Sequence, residues 1–486
     1  MGELSTFTVI PPSRLMLGRR RIYSKDNYCD ARNIRRILAE AIPIHAANAD
    51  EIRYLWNYYR GNQPALYRTK EVRPEICNRI VENHAQECVN FKIGYQLSDP
   101  VQYISRAGQD NEEDSEQIKN LNDLMFAEDK ASSDHDLFEW ECICGVGYRI
   151  VLPDEPYDWE VGTAPFKMHV LEPMNTFVVY SPEYDHRPLC GVYITKDTEG
   201  QPIYSVYTPV EFFKVVGDVI VEQRVHILGS IPIIEYDLNN ARMGVFESVL
   251  PILDAMNAIE SNRLDGIEQT VQSLMKFVNC DVTQDDFVAM LQLGAVKVTA
   301  VDGMQGDVEI LHNDLDQGQT QVTKDDLYQA FVNITGMPNR SSGSASSDTG
   351  AAVLLRDGWT LAESHAKSYE LQFKKAERDF LRVVLKICSA AKNENIHLRV
   401  RDIDIAFNRR NYDNILTKSQ VLTTMLATEK IHPLLAFQAC GLFTDPEAAY
   451  LMSVEYLAEH EQEPQLDDGT VALAMESAAG QPELNV

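Results

Sequence analysis

Met337-Pro338-Asn339-Arg340-Ser341-Ser342-Gly343-Ser344-Ala345-Ser346-Ser347-Asp348 is a run of small and polar residues, and a long helical pattern follows it directly, to Lys392. In that pattern Leu355, Trp359, Ala362, Ala366, Tyr369, Phe373, Ala376, Phe380, Val384 and Ile387 step by three or four, the spacing of one helix face. A helix from Ala351 to Ala391 would run ~60 Å at about 1.5 Å per residue, longer than most small domains are wide. A rod of that length behind a Ser/Gly tip predicts arrayed helices whose loops point at something that moves.

The segments on either side extend the pattern. Upstream, Val245, Val249, Ile252, Met256, Ile259, Leu264, Ile267, Val271 and Leu274 predict a second long helix, with Pro251 either starting or kinking it. Its opposite, polar face carries Asp254, Asn257, Ser261, Asn262, Asp265 and Gln269. A compact α/β insert follows, from Phe277 to about Leu315. Its candidate strands are Phe277–Cys280, Val296–Val301 and Val308–Ile310, with a short helix over Gln284–Gln292. A helix over Gln321–Ile334 then returns to the Met337 loop. One helix leaves, a small domain sits at its end, and another helix comes back.

Toward the N-terminus, Asp50–Tyr59 reads as a helix ended by the turn Gly61-Asn62-Gln63-Pro64. A second helix is predicted from Pro74, with Ile76, Ile80, His84, Cys88 and Phe91 on its apolar face and Gly94 as cap. Val101–Ile104 reads as a strand, Asp110–Glu116 as an acidic turn, and Ile118–Phe126 and Asp134–Cys142 as helices. Gly145-Val146-Gly147 precedes the strand Arg149–Leu152, so it is a tight turn and not a dinucleotide fingerprint. Residues 165–237 are β-rich, with six short strands between Gly, Pro and Asp breaks, as expected of antiparallel hairpins. After the long helix, Ile396–Phe407 alternates as a strand. Asp402 and Asp404 would share one of its faces, as a two-carboxylate metal site requires, or as solvent-facing residues of an edge strand do. Helices resume over Ile415–Leu426, Leu434–Gly441 and Ala448–Glu459. The fold class is α+β.

Composition narrows the function. The chain has 486 residues, 44% hydrophobic and 24% charged, as in ordinary globular proteins. Its longest apolar runs fall far short of the ~20 residues that cross a bilayer, and no apolar signal-peptide core opens it. Neither a membrane partner nor export is expected. Nine cysteines are scattered without a C-x-x-C pair, which predicts buried thiols and neither a disulfide framework nor a zinc site. The net charge of −29 counts against a protein that grips nucleic acid, although an acidic wall suits one that lets DNA pass. Two local departures stand out. Arg14, Arg19, Arg20, Arg21, Lys25, Arg32, Arg35 and Arg36 form a basic N-terminal cluster, either an arm for an acidic partner or a solvated face. From Asp445 onward there are ten carboxylates and no Lys or Arg, and residues 461–486 have the composition of a disordered acidic tail.

The order of these elements resembles the portal proteins of tailed bacteriophages, of the kind typical of long-tailed (siphovirus-type) phages. The resemblance rests on Tyr58-Tyr59-Arg60-Gly61, Asn78–Asn83, Lys92–Leu97, Gly145–Tyr148, Pro188–Tyr193, Ile231–Asn240, Leu253–Asn257 and Ser347–Ala352, in that order and spacing. It implies no enzyme, cofactor or metal, but a homo-oligomeric ring, typically a dodecamer, at one capsid vertex of the virion, assembled in the host cytoplasm. Double-stranded DNA would be packaged and ejected through it. It implies an N-terminal arm and wing over 1–240, an outgoing stem helix over 241–275, a clip over 276–319 and a returning stem helix over 320–336. A tunnel loop over 337–350, a long wing helix with its closing strand over 351–410, a crown over 411–460 and the tail follow. Asn339, Arg340, Ser341, Ser342, Ser344, Ser346, Ser347 and Asp348 would face DNA, with Arg340 the loop's one cation. In the clip, Lys276, Asp285, Asp286 and Lys297 would meet partners: the terminase large subunit during filling and a head-completion adaptor afterwards. Major capsid and scaffolding proteins would surround the ring. The alternatives are a metal-dependent nuclease using Asp402 and Asp404, or a protein-only head scaffold or adaptor.

Overall fold

The computed structural model describes residues 17–106, 112–154, 163–271, 274–278, 283, 285, 288, 307–311, 317–339, 358–391, 396–409, 415–428, 430–443 and 446–460. The β-rich region forms a six-stranded sheet in the order β1 (Ile22–Tyr23), β5 (Thr176–Tyr180), β6 (Pro188–Lys196), β7 (Pro202–Tyr207), β8 (Glu211–Val216) and β9 (Val219–Val225). From β5 on it is an antiparallel meander, and β1 joins its edge in parallel. The β8–β9 link is a two-residue turn whose Gly217 has φ +57°, a conformation glycine adopts without strain. Helix α1 (Ile34–Tyr59) covers one face, burying Ile34, Ile37, Leu38 and Ala41 against Phe177, Val179, Val192, Val206 and Phe213.

The larger core lies under a second sheet, β10 (Ile233–Asp237), β3 (Val146–Pro153) and β4 (Phe166–Leu171). Helices α2 (His84–Gln96), α3 (Glu112–Ala127) and α4 (Lys130–Cys144) pack around it, as does the long helix α7 (Trp359–Ala390). The pairing of β2 (Gln102–Ser105) with β13 (Ile403–Ala406) ties the segment after α7 back to the N-terminal half. Helix α5 (Leu250–Val271) leads to a ribbon of β11 (Leu274–Val278) and β12 (Asp307–Leu311), and α6 (Gln317–Thr335) packs back on α5. Three helices, α8 (Ile415–Leu426), α9 (Pro433–Cys440) and α10 (Pro446–His460), close the described chain.

Several expectations are corrected. The second helix starts at His84, not Pro74, because Asn83 caps it by accepting the Gln86 N–H, and Gly94 lies inside it. Residues 112–116 belong to α3 and not to a turn. Gly145, with φ +82°, is the turn, whereas Gly147 sits in β3, where a Cβ would come 2.8 Å from the Leu137 side chain. The long helix has 32 described residues, about 48 Å of rise, and 351–357 lie outside the described residues. The strand after it is only Ile403–Ala406, preceded by a 3-10 turn over Val400–Asp402. Asp402 and Asp404 therefore stand on different elements and share no strand face. Pro251 sits in the first turn of α5, where it costs no hydrogen bond. The predicted strand 296–301 lies outside the described residues. The eight described cysteines are all free thiols.

Part of the basic cluster folds inward, while Lys25, Arg32, Arg35 and Arg36 stay exposed and Arg14 lies outside the described residues. Fully buried Arg19 pairs with Glu51 at 3.0 Å and Glu247 at 2.6 Å, Arg21 pairs with Asp237, and Arg36 with Asp26. These residues fasten the start of the described chain to α1, β10 and the turn before α5.

Candidate functional site

Helix α5 was expected to bury its apolar face and show its polar one. It does the reverse in part: Asn257, Ser261 and Asp265 are buried, and Ile267 is 44% exposed. The polar stripe is covered by an extended segment of the chain just before α2. The Glu82 N–H donates to Asn257 Oδ1 at 2.8 Å, the Ile80 N–H to Ser261 Oγ at 3.1 Å and the Asn78 N–H to Asp265 Oδ1 at 2.7 Å. Two residues of extended chain advance about 6.6 Å and four helical residues about 6 Å. Alternate N–H groups of the strap therefore stay in step with every fourth side chain of the helix. Asn257 also donates to Gln63 Oε1 at 2.6 Å, and Lys70 and Arg68 pair with Asp265 at 2.6 and 3.0 Å. From α6, Lys324 reaches Glu82 at 2.7 Å and Glu260 at 2.6 Å, which binds strap, α5 and α6 together. His84 lies between Glu87 and Glu82 and stacks near Tyr328 and Phe331 of α6. Burial opposes its charge, but the two carboxylates outweigh that and raise its pKa.

The second feature is the pair of feet from which residues 340–357 depart. At the end of α6, Gly336 has φ +65° and the Met337 N–H returns to Val332 O at 3.0 Å, a Schellman C-cap. Buried Lys92 of α2 donates from Nζ to Gly336 O at 3.2 Å. His365 of α7 packs so close beneath Gly336 that a Cβ there would lie 2.8 Å from its ring. The second foot, Gly358, has φ +82° and lies close to Met337 O and Pro338 Cα: a Cβ on it would be 3.6 and 3.8 Å from them. The two feet thus lie side by side. Trp359 follows and packs on Phe91 and Tyr95, and Tyr95 donates its hydroxyl to Glu363 at 2.9 Å. Arg409 clamps Glu363 and Glu370 at 3.1 and 2.7 Å. Asn339, the one expected loop residue that is described, donates to Gln329 Oε1 at 2.8 Å. Arg340, Ser341, Ser342, Ser344, Ser346, Ser347 and Asp348 lie outside the described residues. In the ribbon, Lys276 of β11 stands opposite Glu309, Asp285 is exposed, and Asp286 and Lys297 lie outside the described residues.

A buried ionic centre joins α7 to β3, β10, β2 and α4. Glu377 of α7 accepts the Tyr103 hydroxyl at 2.6 Å and the Tyr236 hydroxyl at 2.7 Å, and pairs with Lys130 at 2.9 Å. Arg149 of β3 bridges Asp134 and, at 3.6 Å, Glu377. Sequence reasoning missed this centre. Its signal was Glu377 itself, a carboxylate set among Phe373, Ala376 and Phe380 on the apolar face. Among the described residues no group of His, Cys, Asp or Glu is arranged to hold a metal ion, and no helix is long and apolar enough to cross a membrane.

A family model described as "Phage portal protein, SPP1 Gp6-like" matches residues 38–465. The chain belongs to the phage portal proteins. Among curated proteins none matches. Similar solved structures include the neck of an empty gene transfer agent (GTA) particle computed with C6 symmetry. It has a TM-score of 0.45 and 12% identity, over 74% of this chain and 90% of that one. The neck of a native GTA particle computed with C12 symmetry, and the virion of a native GTA particle, both give 0.43 and 11%, over 74% of this chain and 89% of theirs.

In this portal chain Lys92 is the unusual part of the loop's foot. Burial depresses its pKa, and among the described residues no carboxylate faces it; Gly336 O and the rings of Phe91 and Tyr369 surround the ammonium. Lys92→Met keeps the volume and removes a desolvated charge, so global stability should change by less than about 1 kcal/mol. The foot itself should loosen. Hydrogen exchange at the Met337 amide is expected to speed up about tenfold, the local loss of one charge-assisted bond. Unchanged exchange would show that Lys92 does not hold the foot.

Proposed function

We propose that this chain is the protomer of a ring, typically twelve-membered in this family, at one vertex of the capsid. Double-stranded DNA is packaged and later ejected through its centre. The observation that carries this reading is the family match over residues 38–465, which spans the outgoing helix, the ribbon, the returning helix and the long helix. In this reading α5 and α6 are the stem and the β11–β12 ribbon belongs to the clip, where terminase and then the head-completion adaptor dock. Residues 337–350 are the tunnel loop, 1–240 and 351–410 the wing and 411–460 the crown. The ring sits in the virion after assembly in the host cytoplasm, with capsid and scaffolding proteins around it.

The physical chemistry supports a conduit. A protein that neutralised many phosphates would hold its cargo, since each released counterion adds to affinity. A net charge of −29 per chain instead repels the duplex from the wall. A loop of Ser and Gly touches it weakly, with Arg340 the candidate phosphate contact. Portal proteins are structural, and we assign this chain no catalytic step. The nuclease alternative loses its geometric motive, because Asp402 and Asp404 occupy different elements. The test is deletion of Arg340–Ser347 in a phage packaging assay. The conduit reading expects procapsids to form and genome filling to fail. Intact filling would favour a protein-only scaffold.

A further inference from the structure

The exposed face of α7 is basic in an otherwise acidic chain. Its outward positions step along the helix as Lys367, Leu371, Lys375, Arg378, Arg382 and Lys386, all exposed. The stripe runs about 28 Å along the helix. Few anions answer it: Asp379 pairs with Arg382, and Glu363 lies 3.6 Å from Lys367 but is itself clamped by Arg409. Lys375, Arg378 and Lys386 have no ion-pair partner among the described residues. The stripe borders a cavity of about 610 Å³ between α7 and the two sheets, whose walls add Arg21, His186 and Arg187. Of the carboxylates there, Glu235 and Asp237 are engaged by Arg242 and Arg21 and Asp379 by Arg382, while exposed Asp185 accepts the Arg187 N–H.

The same chain carries a counterpart. Residues 461–486 include Glu461, Glu463, Asp467, Asp468, Glu476 and Glu483, with no Lys or Arg. They follow α10 by sequence, and 26 residues can span up to ~85 Å when extended. We infer that this acidic segment docks on the Lys367–Lys386 face of α7 and shields it from polyanions. Charge complementarity selects the occupant, because the segment is present at one copy per stripe in any assembly of this chain. The consequence is autoinhibitory: with the stripe covered, this face of α7 offers a polyanion no basic surface to cling to. This inference does not depend on the conduit reading, since it concerns the solvent-exposed face of one helix.

Zero-length carbodiimide cross-linking of the full chain, with peptide mapping, tests it. Glu370 and Lys374, 2.8 Å apart, provide an internal control for coupling. The expected result is a link from Lys375 or Lys386 to a carboxylate within 461–486, lost at high salt. A control link without any link to 461–486 overturns the proposal. A second measurement uses a fluorescent DNA duplex of random sequence. Removing 461–486 should raise its affinity about tenfold at low salt, as expected for a few exposed ion pairs. Combining the truncation with Lys375→Glu, Arg378→Glu and Lys386→Glu should cancel that gain. Equal, stripe-dependent DNA binding with and without the segment would show a nucleic-acid site that nothing shields, and would also overturn the proposal.

Discussion

Arg149→Ala is expected to cost about 3–5 kcal/mol of folding stability, read as a fall in the urea midpoint at unchanged m-value. Arg149 is fully buried, with its guanidinium over the rings of Phe380 and Tyr236 at 5.1 and 5.5 Å. Burial alone would lower its pKa, but Asp134, Tyr236 and Glu377 outweigh that and raise it, so it is charged at any working pH. Removing it leaves Lys130 alone to answer both Asp134, at 2.5 Å, and Glu377, at 2.9 Å, in a medium where an uncompensated carboxylate is costly. Glu377 behaves in the same way: burial raises its pKa, and Lys130, Arg149 and the two tyrosine hydroxyls more than reverse this. Arg149→Lys should recover only part of the loss, because an ammonium cannot reach both acids with a planar fork. A loss below about 1 kcal/mol for the alanine variant would mean the centre is not what locks α7 onto β3 and β10.

Asp265→Ala is expected to cost about 2–4 kcal/mol at pH 7 and to free the strap from α5. The carboxylate is buried, accepts the Asn78 N–H and side-chain amide, and pairs with Lys70 and Arg68. Burial pushes its pKa up, but the bonds from Lys70 and Asn78 and the charge of Arg68 win and hold it below the ordinary aspartate value. A depressed carboxyl contributes stability that is present above its unfolded pKa and is lost as pH falls through the folded one. The gap between the parent and Asp265→Ala should therefore be full at neutral pH and close in acid. Asp265→Asn should keep part of the hydrogen bonding and lose the ion pairs. A gap that did not shrink in acid would show that packing, and not charge, holds the strap.

The sequence made much of this architecture legible. The five strands of the meander, the pair α5 and α6 with a ribbon between them, and the striped α7 all follow from periodicity and turn residues, whereas the sixth predicted strand, β10, belongs to the second sheet. What escaped it depends on partners distant in the chain. The start of α2 was misplaced because Asn78, Ile80 and Glu82 satisfy their N–H groups on α5 side chains nearly two hundred residues later, an option that no local propensity reveals. The same ladder explains why Asn257, Ser261 and Asp265 read as solvent-facing and are buried. Arg19 read as one of a charged run, although its carboxylates come from α1 and from the turn before α5. The expected loop residues come from the family resemblance, and of these the structure places Asn339. What the fold adds is the foot below them: the C-cap at Gly336, Lys92, His365 and the neighbouring Gly358.

On the proposed reading this chain assembles around a hole. Negative-stain electron microscopy of the purified full chain tests it most directly. Annular particles with an open centre and one discrete rotational symmetry are expected. A monomer under all concentrations and salt conditions, with no annular particle, would contradict it.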